Sequence, residues 1–206
     1  MEHVPVLLRE ALAYLAIRPD GLYLDATAGL GGHTAEIARL VRTGKVIAAD
    51  RDAESLEIAR RNTQSLAGRI QFVQARFSEL RDHLKELAGR QADGLLADLG
   101  VSRYQLTDAG RGFSFAINSP LDMRADRSQT TTAADLVNYM AEKALADLIF
   151  QFGEERRARR IARAIVRARP IRSTSHLAEV VERVAPRTGP RHPATQTFMA
   201  LRIAVN

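Results

Sequence analysis

The 206-residue chain has no cysteine, which excludes disulfides and thiolate metal sites. No apolar run approaches the roughly 18 residues that a membrane span requires. The opening Met1-Glu-His-Val-Pro5 lacks the basic-then-apolar order of a signal sequence. The five histidines show no metal-ligand spacing, so no metal is expected. There are no internal repeats and no low-complexity tract. Together these absences make a cytoplasmic protein the simplest expectation. What is present is 46% hydrophobic residues, enough to bury a core. The length suits one generous domain, or one domain with a small insert.

Lysine is also scarce: 27 of the 30 basic residues are arginine. The net charge of +6 is unevenly spread, with −1 over residues 1–102 and +7 over residues 103–206. Arginine suits bidentate phosphate contacts and base stacking. A basic half beside a neutral one suggests a polyanionic partner such as nucleic acid, although a solvated surface would have the same composition.

Along the first half, short apolar runs alternate with helical periodicity. Pro5 to Leu15 reads as an amphipathic helix. Leu22 to Asp25 reads as a strand ending in an acid, followed by a turn with Gly29, Gly31 and Gly32 and a helix over Thr34 to Leu40. Gly44 to Asp50 is a turn and second strand, Ala53 to Leu66 a helix, Ile70 to Gln74 a third strand, Glu79 to Leu87 a helix, and Asp93 to Asp98 a fourth strand. This alternation predicts a parallel, doubly wound α/β sheet. Gly100 to Arg127 reads as a long loop region, of the kind that is usually functional or disordered. The remainder is helical: Ala133 to Tyr139, Ala141 to Phe152, Glu154 to Arg169, Ser173 to Val184, a loop over Pro186 to Pro193, and a last helix to Val205. Without a convincing strand after Asp98, the sheet looks incomplete.

The glycine turn is the most informative stretch. In open α/β sheets, ligands bind beyond the carboxyl ends of the strands, where this turn lies. A P-loop would require Lys after the glycines, and none is there. A dinucleotide fingerprint would require a third glycine where Thr34 stands. What remains is acid-x-x-x-Gly-x-Gly, as Asp25-Ala-Thr-Ala-Gly29-Leu-Gly31, the form found in S-adenosylmethionine-dependent methyltransferases. Asp50, at the end of the next strand, is placed to accept both hydroxyls of a ribose. Phe77 follows the third strand, where an adenine ring would lie. Asp98 ends the fourth. A hydrogen-bond acceptor there would localise the lone pair of an attacking exocyclic amine and help take up its proton. His33 could contact the cofactor's carboxylate or cap the first helix. Each residue has a structural alternative: glycine turns, packed phenylalanines and loop-capping aspartates also occur in sheets that bind nothing.

Several separate blocks then identify a family. Asp25-Ala-Thr-Ala-Gly-Leu-Gly-Gly-His33, Ala49-Asp-Arg-Asp52, Asp98-Leu-Gly-Val-Ser102 with Gln105, Arg111-Gly-Phe-Ser-Phe115, Pro120-Leu-Asp-Met-Arg124, Gly153-Glu-Glu-Arg156, Arg159 to Ile165, His192-Pro-Ala-Thr195 and Ala200 to Asn206 resemble the bacterial 16S rRNA (cytosine(1402)-N(4))-methyltransferases, the RsmH/MraW family. The resemblance runs from His3 to Asn206. It implies a class I, Rossmann-like methyltransferase sheet with an inserted α-helical domain. The implied division is a cofactor-binding core at 1–105, a basic, RNA-facing helical insert at 106–192, and a helix at 193–206 returning to the core. Cofactor contacts carry over onto Gly31, Gly32, His33, Asp50, Phe77, Asp98 and Gln105, with Asp98 also the candidate catalytic residue. This chain has Ser102-Arg-Tyr-Gln-Leu106 where the family has Ser-Ser-Pro-Gln-Leu, and Gly110 where the family has Glu. Family members continue past Ala-Val-Asn with the remaining strands, so the resemblance implies a chain truncated at its C-terminus.

The expected activity is therefore methyl transfer from S-adenosylmethionine to the exocyclic N4 of a cytidine in the small-subunit decoding region. The target base must be unstacked, with Tyr104, Phe113 or Phe115 as stacking candidates. Arg111, Arg124 and the eight arginines from Arg156 to Arg172 are candidates for phosphate contacts. The expected partners are 16S rRNA or the small ribosomal subunit, with no membrane and no metal; the oligomeric state is left open. Two alternatives stand beside this reading. One is a noncatalytic RNA-binding or ribosome-assembly factor, or an inactive fragment, that keeps the fold. The other is a nicotinamide-dependent oxidoreductase, which Thr34 disfavours.

Overall fold

A computed structural model describes residues 5–187 and 189–206. The first four residues, part of the segment read as carrying no signal sequence, and Thr188, within the loop expected over Pro186 to Pro193, lie outside the described residues. The chain forms two compact units, Met1–Gly100 and Val101–Asn206.

The first unit is built on four strands: β1 (Leu22–Asp25), β2 (Lys45–Asp50), β3 (Ile70–Gln74) and β4 (Gly94–Leu96). They are all parallel, in the order β3-β2-β1-β4. Leu24 stands opposite Ile47 on one side and Leu95 on the other. Four helices complete the unit: α1 (Leu8–Leu15), α2 (Gly32–Leu40), α3 (Ala53–Asn62) and α4 (Leu80–Ala88). Side chains alternate across the sheet. Leu22, Leu24, Ile47 and Ala49 pack with Leu80 and Leu84 of α4. Tyr23 and Val46 pack with Ile37 and Ala38 of α2 and with Leu12 and Leu15 of α1. Covering both faces is what makes these strands read as near-continuous apolar runs. This arrangement is the expected class I, Rossmann-like parallel sheet.

Several elements differ from their sequence-based bounds: the first helix starts at Leu8 rather than Pro5, and two further differences bear on the site. The helix expected over Ala53 to Leu66 stops at Asn62, because the Thr63 hydroxyl donates to the Ala59 carbonyl at 2.8 Å and a 3-10 turn over Gln64–Arg69 follows. The fourth strand is only three residues long. Asp93 precedes it and acts as a clip: its carboxylate accepts from the Leu22 N–H at 2.8 Å and from Arg18 at 2.6 Å. Asp98 lies beyond the strand's end. The last ladder bond runs from Ala26 N–H to Leu96 O, after which the chain diverges.

The second unit is helical: α5 (Arg103–Thr107), α6 (Ala133–Tyr139), α7 (Glu142–Gly153), α8 (Ala158–Arg167), α9 (Thr174–Val184) and α10 (Thr195–Val205). Its core joins Val137, Leu145, Ile149, Ile161, Ile165, Leu177, Val181, Phe198 and Leu201. α5 interrupts the region read as loop, and Ser102 starts it with a capping box: Ser102 Oγ accepts from Gln105 N–H at 3.1 Å, and Gln105 Oε1 from Ser102 N–H at 3.0 Å. The units part between Gly100 and Val101, not at 105/106, and the 193–206 helix belongs to the helical unit. The reason is packing. Phe198, Leu201 and Val205 share one core with Leu145 and Ile149, and at Gly153 a Cβ would collide with the Gln196 carbonyl, so α7 and α10 approach closely.

The loop between α5 and α6 is ordered by internal bonds. Met123 N–H donates to the Arg111 carbonyl at 2.9 Å, which lays Arg111-Gly-Phe113 beside Leu121-Asp-Met-Arg124. Gly112 sits at φ 67, and a Cβ there would strike the Pro120 carbonyl oxygen, so glycine is required. Asn206 closes the arrangement, accepting from Ala125 N–H and donating to the Met123 carbonyl, both at 2.7 Å.

Candidate active site

The site of the first unit forms where strand order reverses. β1 has β2 and then β3 on one side and β4 on the other, so the carboxyl ends of β1 and β4 flank the topological switch point. The turn after β1 is fastened to both neighbours. Ala26 N–H reaches Leu96 O on the β4 side, and Ala28 N–H reaches Ala49 O on the β2 side, each at 2.9 Å. Gly29 (φ 52) and Gly31 (φ 88) take left-handed conformations that other residues adopt only with strain.

Asp50 is the acid best placed to meet a ligand. It is half-buried at the end of β2. Its Oδ2 accepts from Gly29 N–H at 2.8 Å and its Oδ1 from Asp52 N–H at 2.9 Å. A carboxylate offers about four lone-pair positions, so acceptor capacity remains after these two bonds. Burial pushes its pKa up, against the lowering effect of the Asp52 and Gly29 N–H groups. Asp52 caps α3, accepting from the N–H groups of Glu54 and Ser55.

Asp25 has a different role from the one its strand-end position suggests. It is fully buried, accepting from the Thr34 hydroxyl at 2.6 Å and from Thr27 N–H at 3.1 Å. Burial raises its pKa, and those two bonds offset part of the rise. It braces the turn from beneath. Asp98, by contrast, is exposed, and its N–H donates to Thr27 Oγ1 at 2.7 Å. Thr27 therefore links the acid that follows β4 to the acid that ends β1. Sequence reasoning gave Thr27 no role and used Thr34 only to exclude a dinucleotide fingerprint. Their signal was visible only as hydroxyl residues two and nine positions after an acid.

The remaining expected contacts divide into two groups. Phe77 begins a 3-10 turn after β3 and is 60% exposed, an apolar ring available to a flat ligand. Gly31 lies against Ala59 and Thr63, and a Cβ on Gly32 would collide with Pro5, so packing already accounts for glycine at both positions. His33 is buried, with its Nε2 3.1 Å from the Val6 carbonyl, which ties α2 to the N-terminal segment. Gln105 belongs to the second unit, where it is buried and completes the α5 capping box. The structure thus brings Gly29, Gly31, Asp50 and Asp98 around one turn and gives Gly32, His33 and Gln105 structural work.

These residues fit a nucleoside-bearing cofactor. A Cβ built on Gly29 would come no nearer to another atom than 3.8 Å, so open space adjoins the turn. Asp50 stands beside it with acceptor capacity to spare, and α2 presents its first N–H groups with no side-chain cap. Among the described residues, no group of three or more His, Asp or Glu could hold a metal ion. Among the same residues, no helix is long and apolar enough to cross a membrane.

Of the second unit's stacking candidates, Phe113 is buried, with the Arg111 guanidinium 5.6 Å from its ring centre, and Phe115 packs on His192 and Phe198. Tyr104 is half-buried. Arg111, Arg124 and Arg169 bond backbone carbonyls: Arg111 those of Arg124 and Ala125, Arg124 that of Gln129, and Arg169 those of Val137 and Met140. These three arginines hold the helical unit together, whereas Arg156, Arg159, Arg160, Arg163, Arg167 and Arg172 point outward and are exposed.

Comparison with known proteins places these features in context. The profile described as the MraW methylase family matches residues 1–206. A ribosomal RNA small subunit methyltransferase H from Solibacter usitatus is 66% identical over 99% of this chain and 71% of its own length. Its counterpart from Koribacter versatilis is 52% identical over 99% of this chain and 68% of its own length. That from Thermosipho melanesiensis is 46% identical over 100% and 72%. A solved SAM-dependent O-methyltransferase from Thermotoga maritima overlaps 38% of this chain and 32% of its own at 24% identity, with a TM-score of 0.35, too loose a likeness to add to the sequence matches.

Proposed function

The chain belongs to the MraW methylase family, and from that premise we propose that it is an S-adenosylmethionine-dependent rRNA methyltransferase acting on the exocyclic N4 of a cytidine, position 1402 of 16S rRNA. The reading places the reaction in the bacterial cytoplasm, with the small subunit or its RNA as partner. The observation that carries it is the pairing of a family match over the whole chain with Asp50 held half-buried beside an open glycine turn.

The cofactor, when bound, supplies an electrophilic methyl group on a cationic sulfonium. The chain's own residues do the rest. Asp50 would accept the ribose hydroxyls, since the Gly29 and Asp52 N–H groups orient its carboxylate without exhausting it. Phe77 would cover an adenine face. Gly31, Gly32 and His33 would offer the backbone at the start of α2 to a carboxylate. Gln105 is assigned by family resemblance alone. Asp98 would accept a hydrogen bond from the target N4–H, localising the nitrogen lone pair and taking up the proton as the bond to carbon forms. Its exposure leaves its carboxylate accessible to an incoming base. In this division the sheet unit is the cofactor-binding core and the helical unit is the RNA-facing part.

Incubation with radiolabelled S-adenosylmethionine and small subunits lacking the modification should place label in cytidine. Cofactor binding by calorimetry without label transfer would favour a noncatalytic factor, and no binding at all would overturn the reading. Asp50→Ala should lower cofactor affinity at least about a hundredfold, a size expected for losing charge-assisted bonds to two hydroxyls; unchanged affinity would remove the ribose assignment.

A further inference from the structure

Two cavities of the helical unit share a wall made by Arg156 and Arg157. One, about 410 Å³, is lined by Phe150 of α7 and by Arg159 and Arg160 of α8. The other, about 470 Å³, adds Arg187, Arg191 and His192. Phe150 is 61% exposed, although it lies on a helix whose Leu145, Ala146 and Ile149 are buried. Nothing in the packing of α7 explains a phenylalanine there.

Of the nearby acids, Glu154 is exposed and lines the larger cavity, and the others are engaged. Asp147 pairs with Lys143 at 2.8 Å, Glu142 with Arg163 at 3.3 Å, and Glu155 accepts from the Arg157 N–H at 2.8 Å. Arg187 bonds the Gly189 and Pro190 carbonyls, and Arg157 that of Pro186. Arg156, Arg159 and Arg160 are exposed and have no acidic partner among the described residues. The first turn of α8 lines the same space, and its N-cap, Arg157, offers no side-chain acceptor. An uncovered aromatic ring among uncommitted arginines is the combination that holds single-stranded nucleic acid, the ring stacking on a base and the cations tracking the backbone. A duplex keeps its bases stacked on each other and would leave the ring unused. An acidic peptide would satisfy the arginines and leave the ring unused as well.

We propose that these adjacent cavities hold a short single-stranded stretch of RNA, with one base stacked on Phe150 and flanking phosphates on Arg156, Arg159 and Arg160. The inference rests on the reading of the chain as an rRNA methyltransferase and deepens it by naming strand-holding side chains within the helical unit. None of these four residues is among those assigned to the cofactor or the reacting amine.

Fluorescence anisotropy of the chain with a labelled oligouridylate tests this directly. Phe150→Ala should weaken binding about tenfold, within the range for loss of one stacked base, while Phe150→Tyr should stay close to the parent. The pair Arg159→Gln and Arg160→Gln should reduce the slope of log affinity against log salt by about 1.4, from about 0.7 per phosphate contact on a single strand. The helical unit's urea transition and the cofactor affinity measured by calorimetry should both be unchanged in every variant, showing that each unit is folded. Unchanged affinity in Phe150→Ala would overturn the proposal. So would a duplex with oligoadenylate binding as tightly as the single strand, or polyglutamate of matched charge competing equally, which would assign the surface to an acidic protein. If the variants weaken RNA binding but the chain binds no S-adenosylmethionine, the methyltransferase reading fails and this surface stands. If cofactor binding and label transfer persist while the variants have no effect on RNA affinity, the reverse holds.

Discussion

Around the glycine turn of the sheet unit, the charged side chains are acids, and backbone N–H groups hold the first two: Asp50 by Gly29 and Asp52, Asp25 by Thr27. In the helical unit the charged side chains are mostly arginines, and backbone carbonyls hold some of them: Arg111 by Arg124 and Ala125, Arg169 by Val137 and Met140. The polarity is inverted, and so is the consequence. A carboxylate held by two N–H groups keeps lone pairs for a ligand, so Asp50 is oriented and still available. A guanidinium held inside the fold on backbone carbonyls is turned away from an outside ligand, so Arg111 and Arg169 serve the fold. In the helical unit, availability therefore falls to the outward arginines of α8 and of the turn before it.

The largest effect that would break this comparison is in the helical unit. Gly112→Ala combines a left-handed φ with a collision against the Pro120 carbonyl. It should cost about 3 kcal/mol or more, seen as loss of the helical unit's transition in urea while amide signals of the sheet unit persist. Arg111→Leu should cost roughly 3 kcal/mol, because it leaves the buried carbonyls of Arg124 and Ala125 without their donor. If Arg111→Leu instead unfolds like the parent but loses RNA affinity, the assignment of Arg111 to the fold is wrong.

Acid titration should move the two units in opposite directions. Burial raises Asp25 and Asp50 above the ordinary aspartate value of 3.8. Their contribution to stability is present in full below that value and is lost as pH rises through the folded values. Asp122 and Asp135 lie below it. Burial would raise Asp122, but the hydrogen bonds and charge of Arg124 outweigh it; the Thr132 hydroxyl and N–H lower Asp135. Their contribution is present above 3.8 and is lost as pH falls through the folded values. Asp93 acts in this second sense within the sheet unit, but it is exposed and solvent screens it. Urea midpoints followed unit by unit through amide resonances should therefore shift apart as the carboxylates titrate, and Asp25→Asn should flatten the sheet unit's response. Midpoints that move together would show that Asp25 and Asp50 do not govern the sheet unit. The smallest effect is expected at Lys143→Ala, which removes an exposed pair with Asp147 and should change stability by no more than about 0.5 kcal/mol.

Much of this was legible along the chain because its signals are local. The parallel sheet follows from apolar runs alternating with helical periodicity, the glycine turn from three glycines after an acid-ended strand, and the family from contiguous blocks such as Arg111-Gly-Phe. Strand β4 was harder to delimit, because Asp93 and Asp98 both look like strand-end acids. Only the long-range bonds from Asp93 to Leu22 and Arg18 show that one belongs before the strand and the other well past it. Phe150 carries no sequence signal for a role: five residues after Leu145 and one after Ile149, it falls off their helical face, and only the folded chain shows how far the ring is left uncovered.

By itself the sequence determined the kind of chemistry, since residue types and short spacings decide what a turn can bind and which family the chain joins. The tertiary structure decided which charged groups are free to take part. Asp25 and Asp50 end neighbouring strands with the same side chain, yet one is buried under the Thr34 hydroxyl and the other is left beside open space. Arg111 and Arg159 have the same guanidinium, yet carbonyls more than ten residues away hold the first inside the fold, while the second is left to solvent. Availability depends on which long-range partners reach a group first, and only the folded chain brings those partners together.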